Sequence, residues 1–211
     1  MRDNYLTVQG YGESEIIISK SRFITYVNRA ETESEAFDFI NKIKKLHHSA
    51  THNCSAYIIG EYDNIQKAND DGEPSGTAGV PMLEVLKKQH LKDTVVVVTR
   101  YFGGIKLGGG GLIRAYGKAT TEGLRAAGVV ERKLHHIMSI SIDYTWLGKV
   151  ENEIRSSNYS LEEIRYLENV ELYVSVQKEY IDAFIKWVTE MTNGQANITL
   201  VREEFVEFPL I

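Results

Sequence analysis

The 211-residue sequence has one cysteine, Cys54, so no internal disulfide can form, which fits a reducing compartment. No run approaches the roughly 20 apolar residues that a membrane-crossing helix needs. The start, MRDNYLTVQGYGESE, is polar and lacks the apolar core of a secretion signal. These absences lead us to expect a cytoplasmic protein with no membrane partner. Positive charge is not in excess: the net charge is −5 and the pI is near 5.7. That excludes a chain coated in basic residues but allows a local basic face. Hydrophobic content of 43% and charged content of 25% are ordinary for a globular protein, and the length suits two domains of roughly 75 to 135 residues.

Named phosphate motifs are missing too. A P-loop needs Gly-Lys followed by Ser or Thr, but Gly117-Lys118 is followed by Ala119. The dinucleotide fingerprint fails on its glycine pattern, although Glu131 lies near the required acidic spacing. There is no adenine-site or nucleophile signature. The sequence therefore assigns no catalytic residue, no cofactor and no metal.

What is present is concentrated between Asp70 and Leu124. Asp70-Asp71-Gly72-Glu73-Pro74-Ser75-Gly76 is dense in turn formers. Its three carboxylates can hold Mg²⁺; alternatively they cap backbone N–H groups or pair with an arginine. Ser75 or Thr77 is placed to cap a following helix with Val80, Met82, Leu83 and Leu86 on its apolar face, and Pro81 falls in its first turn. Thr94–Thr99, TVVVVT, reads as a central strand covered on both faces. Six glycines follow among the nine residues Gly103 to Gly111, and a new helix is expected from Leu112, closed by Gly128. Between Arg100 and Arg125 five cations face one acid, Glu122, a local excess of four. Unpaired backbone N–H groups at a helix start, beside such charge, suit an anion. The competing reading is that the glycines let the helix lie against the strand while Arg100 or Arg114 pairs with Asp70, Asp71 or Glu73.

Upstream, Glu15–Ala30 reads as a hairpin turning at Lys20-Ser21-Arg22. Thr32 and Glu35 form a capping box ahead of a helix with Ala36, Phe37, Ile40, Ile43 and Leu46 on one face. His47, His48, His52 and Cys54 contain zinc-ligand types but at poor spacing, so a helix exit into the strand CSAYIIG is the better reading. Past Val130 the glycines thin out. Strand, helix, two strands, helix and strand follow, the ferredoxin-like β-α-β-β-α-β order, with Ile181, Phe184 and Trp187 as helix core.

The stretch DDGEPSGTAGVPMLEVL…VVVVTRYFGGIKLGGGGLIRAYGKA, with ATHNCSAYIIG upstream and DYTWLGKVE and MTNGQANI downstream, resembles the IMPACT/YigZ family over essentially the whole chain. The resemblance implies an α+β chain of two domains, 1–134 and 135–211. The first would be similar to the α/β fold shared by a ribosomal protein and elongation factor G domain IV. The second would be similar to the ferredoxin-like domain V of that factor. Bacterial members are suspected of binding nucleic acid or acting near the ribosome. Eukaryotic relatives regulate translation by competing for a protein partner in the initiation factor 2 alpha kinase pathway, and carry a further N-terminal domain that is not expected here.

The expected function is therefore translation-associated regulation through RNA or the ribosome, or through a protein partner in translation control. The candidate nucleic-acid contacts are Arg100, Tyr101, Phe102, Gly103, Gly104, Lys106, Arg114 and Lys118. A second candidate, a polar site, comprises His52, Asp70, Asp71 and Glu73. The alternative is a small-molecule phosphotransfer or nucleotide-binding enzyme that uses the glycine loop and Asp70, Asp71 or Glu73 around Mg²⁺, with His52 as acid or base.

Overall fold

The structure, a computed structural model, describes residues 2–210. The chain forms two compact units, one running to Arg132 and taking back the strand end from Glu207, the other Lys133–Val206. The sequence-based division places that strand end in the second domain. Here it groups with the first unit, where the Glu207 carboxylate meets Arg29 at 2.6 Å and Arg132 at 3.5 Å. Met1 and Ile211, the outermost residues of the expected domains, lie outside the described residues.

In the first unit β1 (Asn4–Val8) precedes β2 (Gly12–Ile18), β3 (Ser21–Arg29), β4 (His52–Ile59), β5 (Ile65–Asn69) and β6 (Thr94–Tyr101). The last five form an antiparallel sheet in the order β2-β3-β6-β4-β5. The β2–β3 hairpin turns at Ser19 and Lys20, both with positive φ (47° and 64°), the two-residue geometry that matches strand twist. The turn therefore lies one residue earlier than the sequence suggests.

Helices cover both faces of this sheet. On one lies α1 (Glu33–Leu46), started by the expected Thr32–Glu35 capping box. Its buried face is Ala36, Phe39, Ile40 and Ile43; Phe37 and Leu46, expected there, are 52% and 64% exposed. Phe39 takes the place assigned to Phe37, which rotates the buried stripe. On the other face lie α2 (Gly79–Lys88) and α3 (Gly108–Ala127). The valines of β6 alternate accordingly. Val95 and Val97 pack with α1, Val96 and Val98 with α2 and α3, and all four are fully buried. A continuous apolar strand is what a sheet covered on both faces requires.

The second unit contains the following elements in order: β7 (Val129–Ile142, which begins in the first unit), α4 (Tyr144–Arg155), β8 (Ser160–Tyr166), β9 (Val170–Gln177), α5 (Ile181–Met191) and β10 (Asn197–Pro209). The strand order β10-β7-β9-β8 is the ferredoxin-like arrangement expected of this half. Ile140, Val150, Leu172, Phe184 and Val188 form its core, and Trp187 packs on Tyr159 and Phe184 as a core aromatic.

Candidate nucleic-acid interface

The acidic turn is built from its own carboxylates. Asp70 accepts from the backbone N–H groups of Gly76 (2.8 Å), Ala78 (3.0 Å) and Gly79 (2.8 Å), and so caps the start of α2. Neither Ser75 nor Thr77 does this; the Thr77 hydroxyl donates to the Pro74 carbonyl instead. Burial works to raise the Asp70 pKa, but these three donors outweigh it and hold the carboxyl below its ordinary value. Asp71 accepts from Lys44 Nζ and from the Asn53 N–H, each at 2.7 Å. It too is held low: burial opposes ionisation, and Lys44 with the Asn53 N–H overcomes it.

Glu73 turns a third way, inward. Its Oε1 accepts from Arg100 Nη1 at 2.6 Å and from the Tyr116 hydroxyl at 2.8 Å, all three side chains being buried. Arg100 lies between the Phe23 and Phe102 rings, 5.3 and 5.5 Å from their centroids. The single S–H of Cys54 has the Asp70 carbonyl at 3.0 Å as its nearer acceptor, and Sγ lies 3.4 Å from the Tyr116 hydroxyl oxygen. Burial, the larger influence, pushes the Cys54 thiol up to about 12. The three carboxylates thus point to three sets of the protein's own donors. Of the two readings of the turn, capping and arginine pairing is the one that occurs; the alternative Mg²⁺ set does not assemble, and no group of metal-ligating side chains converges among the described residues.

The glycine run divides in two. A Cβ on Gly103 would sit 2.0 Å from the Lys20 carbonyl oxygen, so close packing against the β2–β3 turn requires glycine there. Gly104 and Gly108 have φ of +85° and +67°. Around Gly108 a Cβ would meet nothing within 4 Å, and at Gly109 only a Thr77 methyl at 3.9 Å. α3 starts at Gly108, four residues before the expected Leu112, so four glycines form its first turn. Gly108, at φ +67°, suits glycine, but in a helix interior each of the other three would cost about 1 kcal/mol relative to alanine. Helix-to-sheet contact does not explain them, since α3 approaches the sheet at Gly123, whose Cβ would lie 2.3 Å from Thr25. The packing explanation therefore holds at Gly103 and fails at Gly108 and Gly109. The helix start has no side-chain cap and no acid in its first turn, leaving its N–H groups open.

A cavity of about 450 Å³ opens at this helix start, with His52, Glu73 and Arg100 in its wall, Phe102 and Lys106 beside them, and Gly108 and Gly109 along one edge.

The residues that build this cavity fall inside a stretch matched by a known family model, the Impact N-terminal domain, at residues 19–124; residues 140–195 match the Domain of unknown function (DUF1949). IMPACT family member YvyE of Bacillus subtilis is 66% identical over 198 residues, covering 94% of this chain and 91% of that protein. This chain belongs to the IMPACT family. IMPACT family member YigZ of Escherichia coli is 30% identical, covering 88% and 92%. The Protein IMPACT homolog of Dictyostelium discoideum is 37% identical over 106 residues, 47% of this chain and 29% of its own length. A crystal structure described as that of a hypothetical protein superposes with a TM-score of 0.61 at 27% identity, covering 96% of this chain and 99% of its own.

Within this IMPACT-family unit the expected contacts separate into three groups. Phe102, Gly103, Gly104 and Lys106 follow the end of β6, and Phe102 (47% exposed) and Lys106 are open to a partner. Arg114 and Lys118 are exposed on α3, one turn apart, outside the cavity lining. Arg100 and Tyr101 correct the expectation. Arg100 is 5% exposed and neutralised by Glu73, so it is no free surface cation. Tyr101 packs on the α1 side of the sheet, where its hydroxyl meets His47 Nδ1 at 2.9 Å. Of the polar candidates, His52 and Glu73 line the cavity, whereas Asp70 and Asp71 brace the loop. Sequence reasoning missed Tyr116 and Ser21. Ser21 Oγ lies 3.4 Å from Arg100 Nη2 and accepts from the Gly103 N–H at 3.1 Å. The available signal was a tyrosine within an otherwise small-residue helix stripe.

Proposed function

We propose that this IMPACT-family chain is an RNA-binding protein acting in translation, taking single-stranded RNA or an exposed ribosomal RNA segment at the start of α3. One observation carries the reading. Among the described residues, nine of the ten arginines hold a carboxylate; Arg114, on the exposed side of α3, holds none. Lys106 and Lys118, also exposed, have no ion pair among those residues either. Cations left without ion pairs at the start of α3 and along its exposed side, in a chain of net charge −5, are suited to phosphates. Gly108–Gly110 bring open N–H groups to the same place, and Phe102 offers a ring for an unpaired base. The phosphotransfer alternative loses support because Asp70 and Asp71 are engaged by backbone donors and Lys44.

Fluorescence anisotropy with a labelled single-stranded RNA across a potassium chloride series tests the reading. Arg114→Ala and Lys118→Ala are each expected to weaken binding on all sequences and to reduce the salt slope by about 1. Wild-type affinity and slope in both variants would remove the assignment.

A further inference from the structure

The wall of the cavity holds two acceptor atoms without donors. Glu73 Oε1 is engaged twice, but Oε2 accepts no hydrogen bond from any described residue, although the side chain is only 3% exposed. Oε2 is not among the fully buried unpartnered atoms, so it is open to the cavity and free to accept from a ligand. His52 Nδ1 lies 2.8 Å from the Asp71 carbonyl, which can only accept, so Nδ1 carries the hydrogen. In the neutral ring Nε2 is then an acceptor, and it lies 3.7 Å from Glu73 Oε2.

Two adjacent acceptors do not satisfy each other; they suit two adjacent donors. A ribose with free 2′- and 3′-hydroxyls has that arrangement, and in an RNA strand only the 3′-terminal nucleotide keeps both. The rest of the cavity suits the same nucleotide. Lys106 and the open N–H groups of the α3 first turn can take its 5′-side phosphate, and Phe102 can take its base. A volume of about 450 Å³ is of the size that small-ligand sites have, and far too small for a duplex. Resting on the RNA reading above, we propose that the cavity receives the 3′-terminal ribonucleotide of an RNA strand, with Glu73 and His52 reading its cis-diol and the preceding phosphates running toward Arg114.

The test compares three RNA octamers of one sequence, labelled at the 5′ end: one with a free 3′-terminal cis-diol, one with a terminal 2′-deoxyribose and one with a 3′-phosphate. The wild-type protein is expected to bind the first about tenfold or more tightly than the others, the scale of a lost hydrogen bond to a charged group. His52→Ala, outside the buried Arg100–Glu73 pair, is expected to bring the affinity for the cis-diol strand down to within about twofold of that for the deoxy-terminated strand, and so to erase the preference; Glu73→Gln serves as a second variant. Equal binding of all three octamers by the wild type would overturn the cis-diol assignment and leave the RNA surface standing. No binding of any octamer at low salt would overturn both. Adenosine 5′-monophosphate binding as tightly as the octamer would give the cavity to a free ribonucleotide and overturn the strand-end assignment.

Discussion

Arg100 Nη1 and Glu73 Oε1 meet at 2.6 Å with side chains 6% and 3% exposed, so the acidic turn and the end of β6 are joined by an ion pair almost out of reach of water. Removing one member of such a pair strands the other charge. Glu73→Ala is expected to lower the free energy of unfolding by about 3–5 kcal/mol. Adding Arg100→Met is expected to restore much of that loss, because the stranded charge goes with it. Urea denaturation checks this; a single-variant loss below about 1 kcal/mol would mean that the pair is solvated in solution.

The two kinds of glycine should respond oppositely to a methyl group. Gly103→Ala drives a Cβ to 2.0 Å from the Lys20 carbonyl oxygen and is expected to destabilise by about 1–3 kcal/mol. Gly109→Ala meets only the Thr77 methyl at 3.9 Å and lies in a helix, so a gain of about 0.5–1 kcal/mol is expected. If that glycine is there for a ligand, the stabilised variant binds RNA more weakly. Thermal melts and anisotropy on the same samples separate the two effects.

Asp70 supplies a pH signature. Its carboxyl is held below the ordinary value in the folded chain, so the stability it contributes is present above the unfolded-state value of about 4 and disappears as pH falls through the folded value. Asp70→Asn is expected to be less stable than the wild type at pH 7, with the gap narrowing below pH 4. A gap independent of pH would show that the capping bonds do not depend on the charge.

Cys54 is fully buried and its thiol is pushed up to about 12, so the native protein is expected to resist iodoacetamide at pH 8. Labelling should track unfolding as urea is raised. Rapid alkylation of the folded chain would contradict the packing of Cys54 under Tyr116.

Much of this architecture was legible because its signals are local. The Thr32–Glu35 capping box, the valine strand and the ferredoxin-like order of the second unit are readable within short windows, and each occurs in the structure. The start of α3 was not legible, because four glycines argue against a helix and only tertiary context places them in one. The sequence offered an arginine–carboxylate brace as one reading of the acidic turn, and Arg100–Glu73 forms it; which carboxylate would turn inward depends on loop geometry that composition does not encode. Tyr101 was misplaced for a simpler reason. β6 extends through it, so the two-residue alternation sends Arg100 and Tyr101 to opposite faces.

That alternation also makes β6 ambiguous in itself. Slipping Val95–Val98 by one residue against its neighbours would exchange valine for valine on both faces, so hydrophobicity barely distinguishes the correct alignment from its neighbour. Polar contacts on both sides of the valines distinguish the alignment: just before the strand the Asp93 carboxylate accepts from the Gly60 N–H at 3.1 Å, and past the valines comes the strand's polar end. There Thr99 Oγ1 donates to Asn53 Oδ1 at 2.7 Å, and Arg100 reaches Glu73 at 2.6 Å. The charged pair in the cavity wall is thus also one of the contacts that hold the sheet in register, and a variant that loses it is expected to loosen the strand's alignment as well as alter the site.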